Sequence, residues 1–353
     1  MPPPSTTMKA LTANRPLLSR IYNLATHTSP PLGAQVSTIP TPTPAPNQVL
    51  VRVTAVALNP TDHKHIDILS PRGSIIGCDY AGTIASVGSA ATHLWSVGDR
   101  IAGVVHGGLY PDTGSFAEYL KVDADVAWRP PQGMSDDVAA TYGVSATTAM
   151  LALNVTMGLP WPDARKERED RVLLVYSGAT TAGLATITLG KALGLTVVAT
   201  ASERSFEVVD YRSAKAAEEI KKKYPDVSFA VDCYSEGGST DFCVEVVKKG
   251  GGRVVTLLGK GKAGAEGVEV IEILAYTLMG KEFAWLQPVG PKYGVKEGHR
   301  EALVHYYKHL SEWLDVLKPL PTKSVGQGFD GILKGLDMLR KGEVSGAKLV
   351  VKM

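Results

Sequence analysis

The stretch Arg171-Val-Leu-Leu-Val-Tyr176-Ser177-Gly178-Ala179-Thr180-Thr181-Ala182-Gly183 decides the fold. Its first half is an apolar run of the kind found in a buried parallel strand, where both faces are covered and no alternation is needed. Its second half is built of small residues and leads into 181–193, which suits a helix. Where a strand hands over to a helix in this way, backbone N–H groups and the positive end of the helix dipole can receive a pyrophosphate. The pattern lacks the full three-glycine fingerprint, so taken alone it also fits a plain tight turn.

Downstream, residues 196–200 suit a strand, 214–223 a helix, 229–233 a strand, 240–248 a helix and 252–258 a strand. That alternation predicts a doubly wound parallel sheet. Upstream, a Pro/Thr-rich stretch at 40–48 cannot hold a helix, and Val49-Leu-Val-Arg-Val-Thr-Ala-Val-Ala57 reads as a strand of small and β-branched residues. Residues 80–88, 99–105 and 116–122 are short strand segments punctuated by Gly and Asp, so the first lobe is expected to be mostly β. Ser135 can cap a helix that starts at Asp136 and continues through 139–153, followed by a polar loop at 158–170. Helical text returns at 299–317 and 327–341, and 346–352 predicts a last strand that rejoins the first lobe.

A chain of 353 residues exceeds what one hydrophobic core organises, so two domains are expected. Hydrophobic residues at 44% and charged residues at 20% argue against disorder, and a net charge of +2 without a long Lys/Arg run argues against a nucleic-acid partner. Lys221, Lys222 and Lys223 read as a solvated helix end. The three cysteines, Cys78, Cys233 and Cys243, make no disulfide framework and point to a reducing compartment. Residues 1–7 lack the basic-then-apolar order of a secretory signal, and no stretch approaches the roughly 18 continuous apolar residues of a membrane span. A cytoplasmic protein without a membrane partner is expected.

After the strand at 196–200 no carboxylate is placed to grip a ribose hydroxyl. Thr200-Ala-Ser202-Glu203-Arg204-Ser205 instead offers hydroxyls and a cation, which suits a 2′-phosphate, so the expected cofactor is NADPH. Between Thr200 and the next apolar segment, Phe206-Glu-Val-Val-Asp-Tyr211, about five residues remain, whereas a parallel crossover takes a dozen or more. One crossover helix is therefore expected to be missing, with 206–211 as an edge or antiparallel segment.

Together with that turn, Asn59-Pro-Thr-Asp-His-Lys64, Gly77-Cys-Asp-Tyr-Ala-Gly-Thr83, Val97-Gly-Asp-Arg100 and Lys341-Gly-Glu-Val-Ser-Gly-Ala-Lys-Leu-Val350 extend the pattern over nearly the whole chain. On these motifs it resembles the zinc-free medium-chain dehydrogenase/reductases related to quinone oxidoreductase, and within them the fungal trans-acting enoyl reductases of polyketide synthases, such as that of the lovastatin pathway. The resemblance implies an α/β fold with a GroES-like, mostly β catalytic domain at 1–143, a doubly wound Rossmann NADPH-binding domain at 144–283, and a return to the catalytic domain at 284–353. It implies that Thr61, Asp62, His63 and Lys64 border the nicotinamide half of the cofactor. Ala179, Thr180, Thr181 and Ala182 would meet the pyrophosphate, in the turn where the amides around Ser177 and Gly178 are read as receiving the cofactor. Ser202, Glu203, Arg204 and Ser205 would approach the adenosine phosphate, Tyr211 would contact the cofactor, and Thr256, Leu257, Ser345 and Gly346 would offer backbone near the nicotinamide. Val144, Ser145, Ala146, Thr147, Thr148, Ala149 and Met150, with Leu278, Met279, Gly280, Lys281, Glu282 and Phe283, would line an acyl pocket; Ala146 stands where the lovastatin-pathway member has threonine. Zinc-dependent relatives carry Cys near Pro60-Thr61 and His at the place of Cys78. Neither ligand is present and three scattered cysteines cannot build a four-thiolate lobe, so no metal is expected.

In the implied reaction, hydride from C4 of the nicotinamide attacks the β carbon of an enoyl thioester, leaving an enolate whose oxygen needs donors and whose α carbon needs a proton. Lys64 is the first candidate donor; the alternative is that it holds the cofactor ribose or the pantetheine arm. Tyr80 is the second; the alternative is that its ring packs. His63, His65 and His106 lie where packing competes with chemistry. The expected substrate is an acyl thioester on the acyl carrier domain of a polyketide synthase, handled by a monomer, with a dimer as the alternative. The competing functions are a stand-alone quinone or enone reductase and a relative impaired in cofactor binding.

Overall fold

A computed structural model describes residues 4–164, 171–201, 209–210, 213, 215–259 and 267–353. Strands β1 (Thr7–Ala13) and β2 (Ala34–Pro40) pair antiparallel, joined through helix α1 (Leu17–Thr26). The β-branched run expected as a strand is β3 (Gln48–Ala57), and the short five-residue helix α2 (Pro60–Lys64) follows it. β4 (Asp79–Val87), β5 (Arg100–Val104), β6 (Tyr119–Asp123) and β7 (Ala127–Trp128) complete this antiparallel lobe.

The helix expected to run on through 139–153 is divided into α3 (Asp136–Ala139), a tight turn, α4 (Val144–Met150) and a wider π-type turn, Leu151–Thr156. The break falls at Gly143, because the Val144 N–H donates to Asp79 Oδ1 at 2.7 Å and a Cβ on Gly143 would lie 2.2 Å from that oxygen. Only glycine lets the carboxylate approach so closely. By length and mean composition Asp136–Thr156 could cross a membrane, but 78% of its apolar 18-residue window is buried inside the protein, as in a core helix.

β8 (Val172–Tyr176), β9 (Thr196–Ala201), β10 (Val209–Asp210), β11 (Val227–Asp232), β12 (Gly252–Thr256) and β13 (Val268–Glu272) form a parallel sheet in the order β10-β9-β8-β11-β12-β13. Helices α5 (Thr181–Ala192), α6 (Ala216–Lys223) and α7 (Ser239–Val246) alternate with its strands. Every residue of β8 and β11 is buried, as central parallel strands covered on both faces must be. β10 corrects the antiparallel alternative: Val209 lies opposite Thr200 and Asp210 opposite Ala201 in parallel register, at the sheet edge. Residues 202–208 lie outside the described residues. β13 was not expected from sequence; it adds an edge beyond β12.

β14 (Phe283–Ala284) pairs with β15 (Lys292–Tyr293), and α8 (His299–His309) ends well before 317, giving way to a short 3-10 turn. β16 (Thr322–Gln327), α9 (Gly328–Arg340) and β17 (Lys348–Lys352) bring the chain back: β17 pairs with β3, Val350 opposite Ala57. The first lobe is thus a seven-stranded sheet, β16-β17-β3-β4-β5-β7 with β6 on β3. One apolar core joins Ala57 and Ala81 of this sheet to Leu173 and Val175 of the parallel sheet through Met150 and Tyr307, and another fills the far side of β3 and β4.

Candidate active site

In the parallel sheet the strand order reverses between β8 and β11, and the crevice beyond their carboxyl ends is where such folds bind ligands. At the end of β8, Ser177 takes a left-handed φ of 63°. Its N–H donates to Thr200 Oγ1 at 3.0 Å, and the Gly178 N–H donates to the Thr200 carbonyl at 2.7 Å. These two amides are committed to β9, which corrects the expectation that the amides at Ser177 and Gly178 hold a pyrophosphate. Thr180 caps α5: its Oγ1 accepts from the Gly183 N–H at 3.0 Å and donates to the Ser177 carbonyl at 2.9 Å. Gly183 is required because a Cβ there would sit 2.4 Å from Ser177 O. The amides of Ala179, Thr181 and Ala182 have no partner among the described residues, and they stand at the positive end of a twelve-residue helix. The free amides thus fall within 179–182, the segment that the resemblance assigns to the pyrophosphate.

Gly346 donates its N–H to Ala179 O at 2.9 Å, which places Ser345 and Gly346 against this turn. Thr256 and Leu257 lie at the same edge of the sheet, yet the Thr256 carbonyl accepts from Ile273 and the Leu257 N–H goes to Ser235 Oγ at 2.8 Å. The Thr256 carbonyl thus serves the sheet and the Leu257 N–H the turn after β11. Ser202, Glu203, Arg204, Ser205 and Tyr211 lie outside the described residues.

The opposite wall is α2. Asn59 caps it, Pro60 presets its first turn, and Asp62 Oδ2 accepts the Asn59 N–H at 2.7 Å. Thr61 and Lys64, three residues apart, share the half-exposed face, whereas Asp62 and His63 are buried. Asp62 and His63 therefore do not reach a cofactor: Asp62 faces Asn59 and Cys78, and His63 Nδ1 lies 3.5 Å from Asp67, itself gripped by Arg340. Lys64 Nζ crosses the cleft and donates to Glu236 Oε1 at 3.1 Å. Glu236 belongs to the turn after β11, which Asp232 organises by accepting from the Tyr234 and Ser235 amides and from Ser239 and Thr240 hydroxyls. Thr61 Oγ1 lies 2.7 Å from the Tyr276 hydroxyl.

Tyr80 is not at the cleft. β-strand alternation turns Asp79 and Ala81 toward the inter-lobe side and Tyr80 into the opposite core, where it is fully buried, its hydroxyl without a partner among the described residues and held in the neutral form by burial. His65 and His106 are buried aromatic walls around Tyr276, His106 stacked on it at 3.9 Å; burial drives the His65 pKa down to about 4 and that of His106 well below the usual value.

Of the segments expected to line an acyl pocket, α4 contributes less than expected. Thr147, Ala149 and Met150 are core residues, Thr148 is buried as well, the Val144 N–H binds Asp79, Ser145 Oγ takes Lys348 at 3.2 Å, and Ala146 packs beside Leu189 and Leu320. Leu278 is also core, Gly280 is a turn, and Glu282 points to solvent. Met279 and Lys281, however, line a cavity of about 240 Å³ with Val105, His106, Tyr110 and Val126, and Phe283 packs behind it against His106. Sequence reading missed three groups: Glu236, Tyr276, and Lys348, a fully buried ammonium 2.9 Å from Asp79 Oδ2 and also bonded to Asn59 Oδ1. Of these only Lys348 left a signal, as a charge inside an apolar strand. Among the described residues no group of three or more His, Cys, Asp or Glu side chains could hold a metal ion.

Residues 45–132 match the alcohol dehydrogenase GroES-like domain. The crystal structure of CurK enoyl reductase superposes with a TM-score of 0.73 at 20% identity, covering 99% of this chain and 100% of that one. The structure of mycobacterial Rv1454c complexed with NADPH does so at 0.72 and 17%, covering 98% and 100%. A GroES-like lobe joined to a parallel sheet with an open switch point defines a medium-chain dehydrogenase/reductase. The trans-enoyl reductase pyiC of Pyricularia grisea is 33% identical over 332 residues, 89% of each chain. The chain belongs to the family of fungal trans-enoyl reductases.

Proposed function

We propose that the chain is a trans-acting enoyl reductase that transfers hydride from NADPH to the β carbon of an α,β-unsaturated polyketide thioester. The observation that carries this reading is the reach of Lys64 from the β lobe to the carboxyl edge of the parallel sheet, beside the free amides of Ala179, Thr181 and Ala182. A dinucleotide fits here: its diphosphate matches those amides and its reactive ring the cleft below Thr61 and Lys64. When bound, the nicotinamide supplies the hydride. Lys64 then donates to the enolate oxygen, a charge-assisted contact made where charge develops. The cavity beside Met279 and His106 takes the acyl chain. The preference for NADPH is supported by the hydroxyl-rich segment that begins where β9 ends, and the acyl carrier domain of a synthase is the partner that a trans-acting enzyme in the cytoplasm serves.

The test is a pair of assays. Saturable quenching or enhancement of NADPH fluorescence, with turnover of crotonyl thioester exceeding that of a small quinone, supports the reading. Preference for the quinone would make the chain a small-molecule reductase, and absence of NADPH binding would make it a non-enzymatic relative.

A further inference from the structure

Thr61 stands between a fixed backbone and a fixed ring. Asn59, which caps α2, is held by the buried Lys348 ammonium, and Pro60 presets the first turn. Thr61 Oγ1 lies 2.7 Å from the Tyr276 hydroxyl, its sole hydrogen-bond partner among the described residues. Tyr276 is buried and its ring is held on several sides: His106 stacks on it with centroids 3.9 Å apart, and His65 and Trp285 meet it edge-on at 5.5 and 5.8 Å. The turn that carries it, Ala275–Met279, is pinned by Thr277, whose hydroxyl donates to the Leu274 carbonyl at 2.7 Å and lies 2.8 Å from His299 Nδ1.

The single phenol proton has two acceptors in reach, Thr61 Oγ1 at 2.7 Å and Cys78 Sγ at 3.6 Å. Oxygen accepts more strongly than sulfur and lies closer, and a phenol is a stronger acid than an alcohol, so Tyr276 donates to Thr61. Burial pushes the Tyr276 phenol well above its usual range, so this donor keeps its proton at neutral pH. The proton of Thr61 is then left to the half-exposed face of α2, which Thr61 shares with Lys64 one turn on. A hydroxyl that accepts one hydrogen bond is polarised toward giving another.

We propose that Thr61 is a second hydrogen-bond donor, beside Lys64, to the substrate oxygen that becomes an enolate when hydride reaches the β carbon, and that Tyr276 is the positioning residue that aims it. The inference rests on the enoyl reductase reading. The two donors differ in kind. Lys64 brings charge on a long, partly exposed side chain shared with Glu236, whereas Thr61 brings a short dipole already aimed, which needs no reorganisation as charge develops. Thr61 gives a hydrogen bond and keeps its proton, so no bond within it breaks. Thr61 touches the substrate; Tyr276 acts only through it.

Steady-state kinetics with crotonyl thioester test this, with NADPH binding followed by fluorescence alongside. Thr61→Val keeps the shape and removes the hydroxyl; kcat should fall at least about tenfold while the NADPH dissociation constant stays within about twofold of wild type. Thr61→Ser restores the donor and should bring kcat back to within about threefold of wild type. Tyr276→Phe should lower kcat about fivefold in the wild-type background and leave it unchanged in Thr61→Val, where no hydroxyl remains to be aimed. Wild-type kcat in Thr61→Val overturns the proposal while leaving the enoyl reductase reading intact. Weakened NADPH binding with kcat kept overturns it too, by making Thr61 a cofactor contact. An equal loss from Tyr276→Phe in both backgrounds overturns the positioning role. A wild type that binds NADPH but leaves crotonyl thioester untouched overturns the enoyl reductase reading and the proposal with it.

Discussion

Lys64 and Glu236, from opposite lobes and 172 residues apart in sequence, meet across the cleft with Nζ 3.1 Å from Oε1. Both side chains are partly exposed, so the pair adds little to stability. Its consequence is positional: the ammonium is held over the carboxyl edge of β11, the strand next to β8. Lys64→Ala should lower crotonyl thioester turnover more than tenfold, and Glu236→Ala should change the denaturant midpoint by less than about 1 kcal/mol equivalent. Unchanged kinetics in Lys64→Ala would remove it from the reaction.

Thr181 occupies the first position of α5, and Thr180 before it is extended at φ −73°, ψ 158°, the conformation that a following proline demands. Thr181→Pro should therefore fold normally while deleting one of the three free amides. Loss of a hydrogen bond to a charged group is worth about 1.5–3 kcal/mol, so NADPH affinity should fall about tenfold or more. Calorimetry with NADPH reads this directly; wild-type affinity would place the diphosphate elsewhere.

The parallel sheet was legible because β8 is apolar on both faces and is followed by small residues, a local signature of a covered strand and a tight turn. The candidate anion site was legible as the segment 179–182, but not which of its amides are free. Which amides are free depends on Thr200, which lies 23 residues away and takes the N–H groups of Ser177 and Gly178. Tyr80 was open between packing and chemistry because its position in a motif says nothing about which face of β4 it occupies; its burial in the core fits the packing alternative. Glu236 and Tyr276 matter through contacts with α2 at separations of 172 and 215 residues, which no local pattern carries.

Lys348 is fully buried and holds Asp79 at 2.9 Å, tying β17 to β4. Lys348→Met should destabilise the protein by about 3–5 kcal/mol, because the Asp79 carboxylate is left uncompensated in the core. Urea denaturation checks it. Adding Asp79→Asn should recover part of the loss, and a double variant no better than the single one would contradict the pairing.

Asp62 keeps its proton to about pH 7 when folded, against a usual 3.8. Between those values the folded state binds more protons than the unfolded one, so this residue's contribution to stability declines as pH rises from about 4 to about 7. Relative to wild type, Asp62→Asn should therefore gain about 2 kcal/mol or more between pH 5 and pH 8. Denaturation at the two pH values measures the difference; a constant offset would show that the carboxyl titrates normally.

Hydride delivery to the β carbon is tested most directly with NADPH carrying deuterium at the transferable C4 position and crotonyl thioester as substrate. Hydride transfer to the β carbon gives butyryl thioester with deuterium at C3 and solvent hydrogen at C2. Label at C2, or product without label, would contradict it.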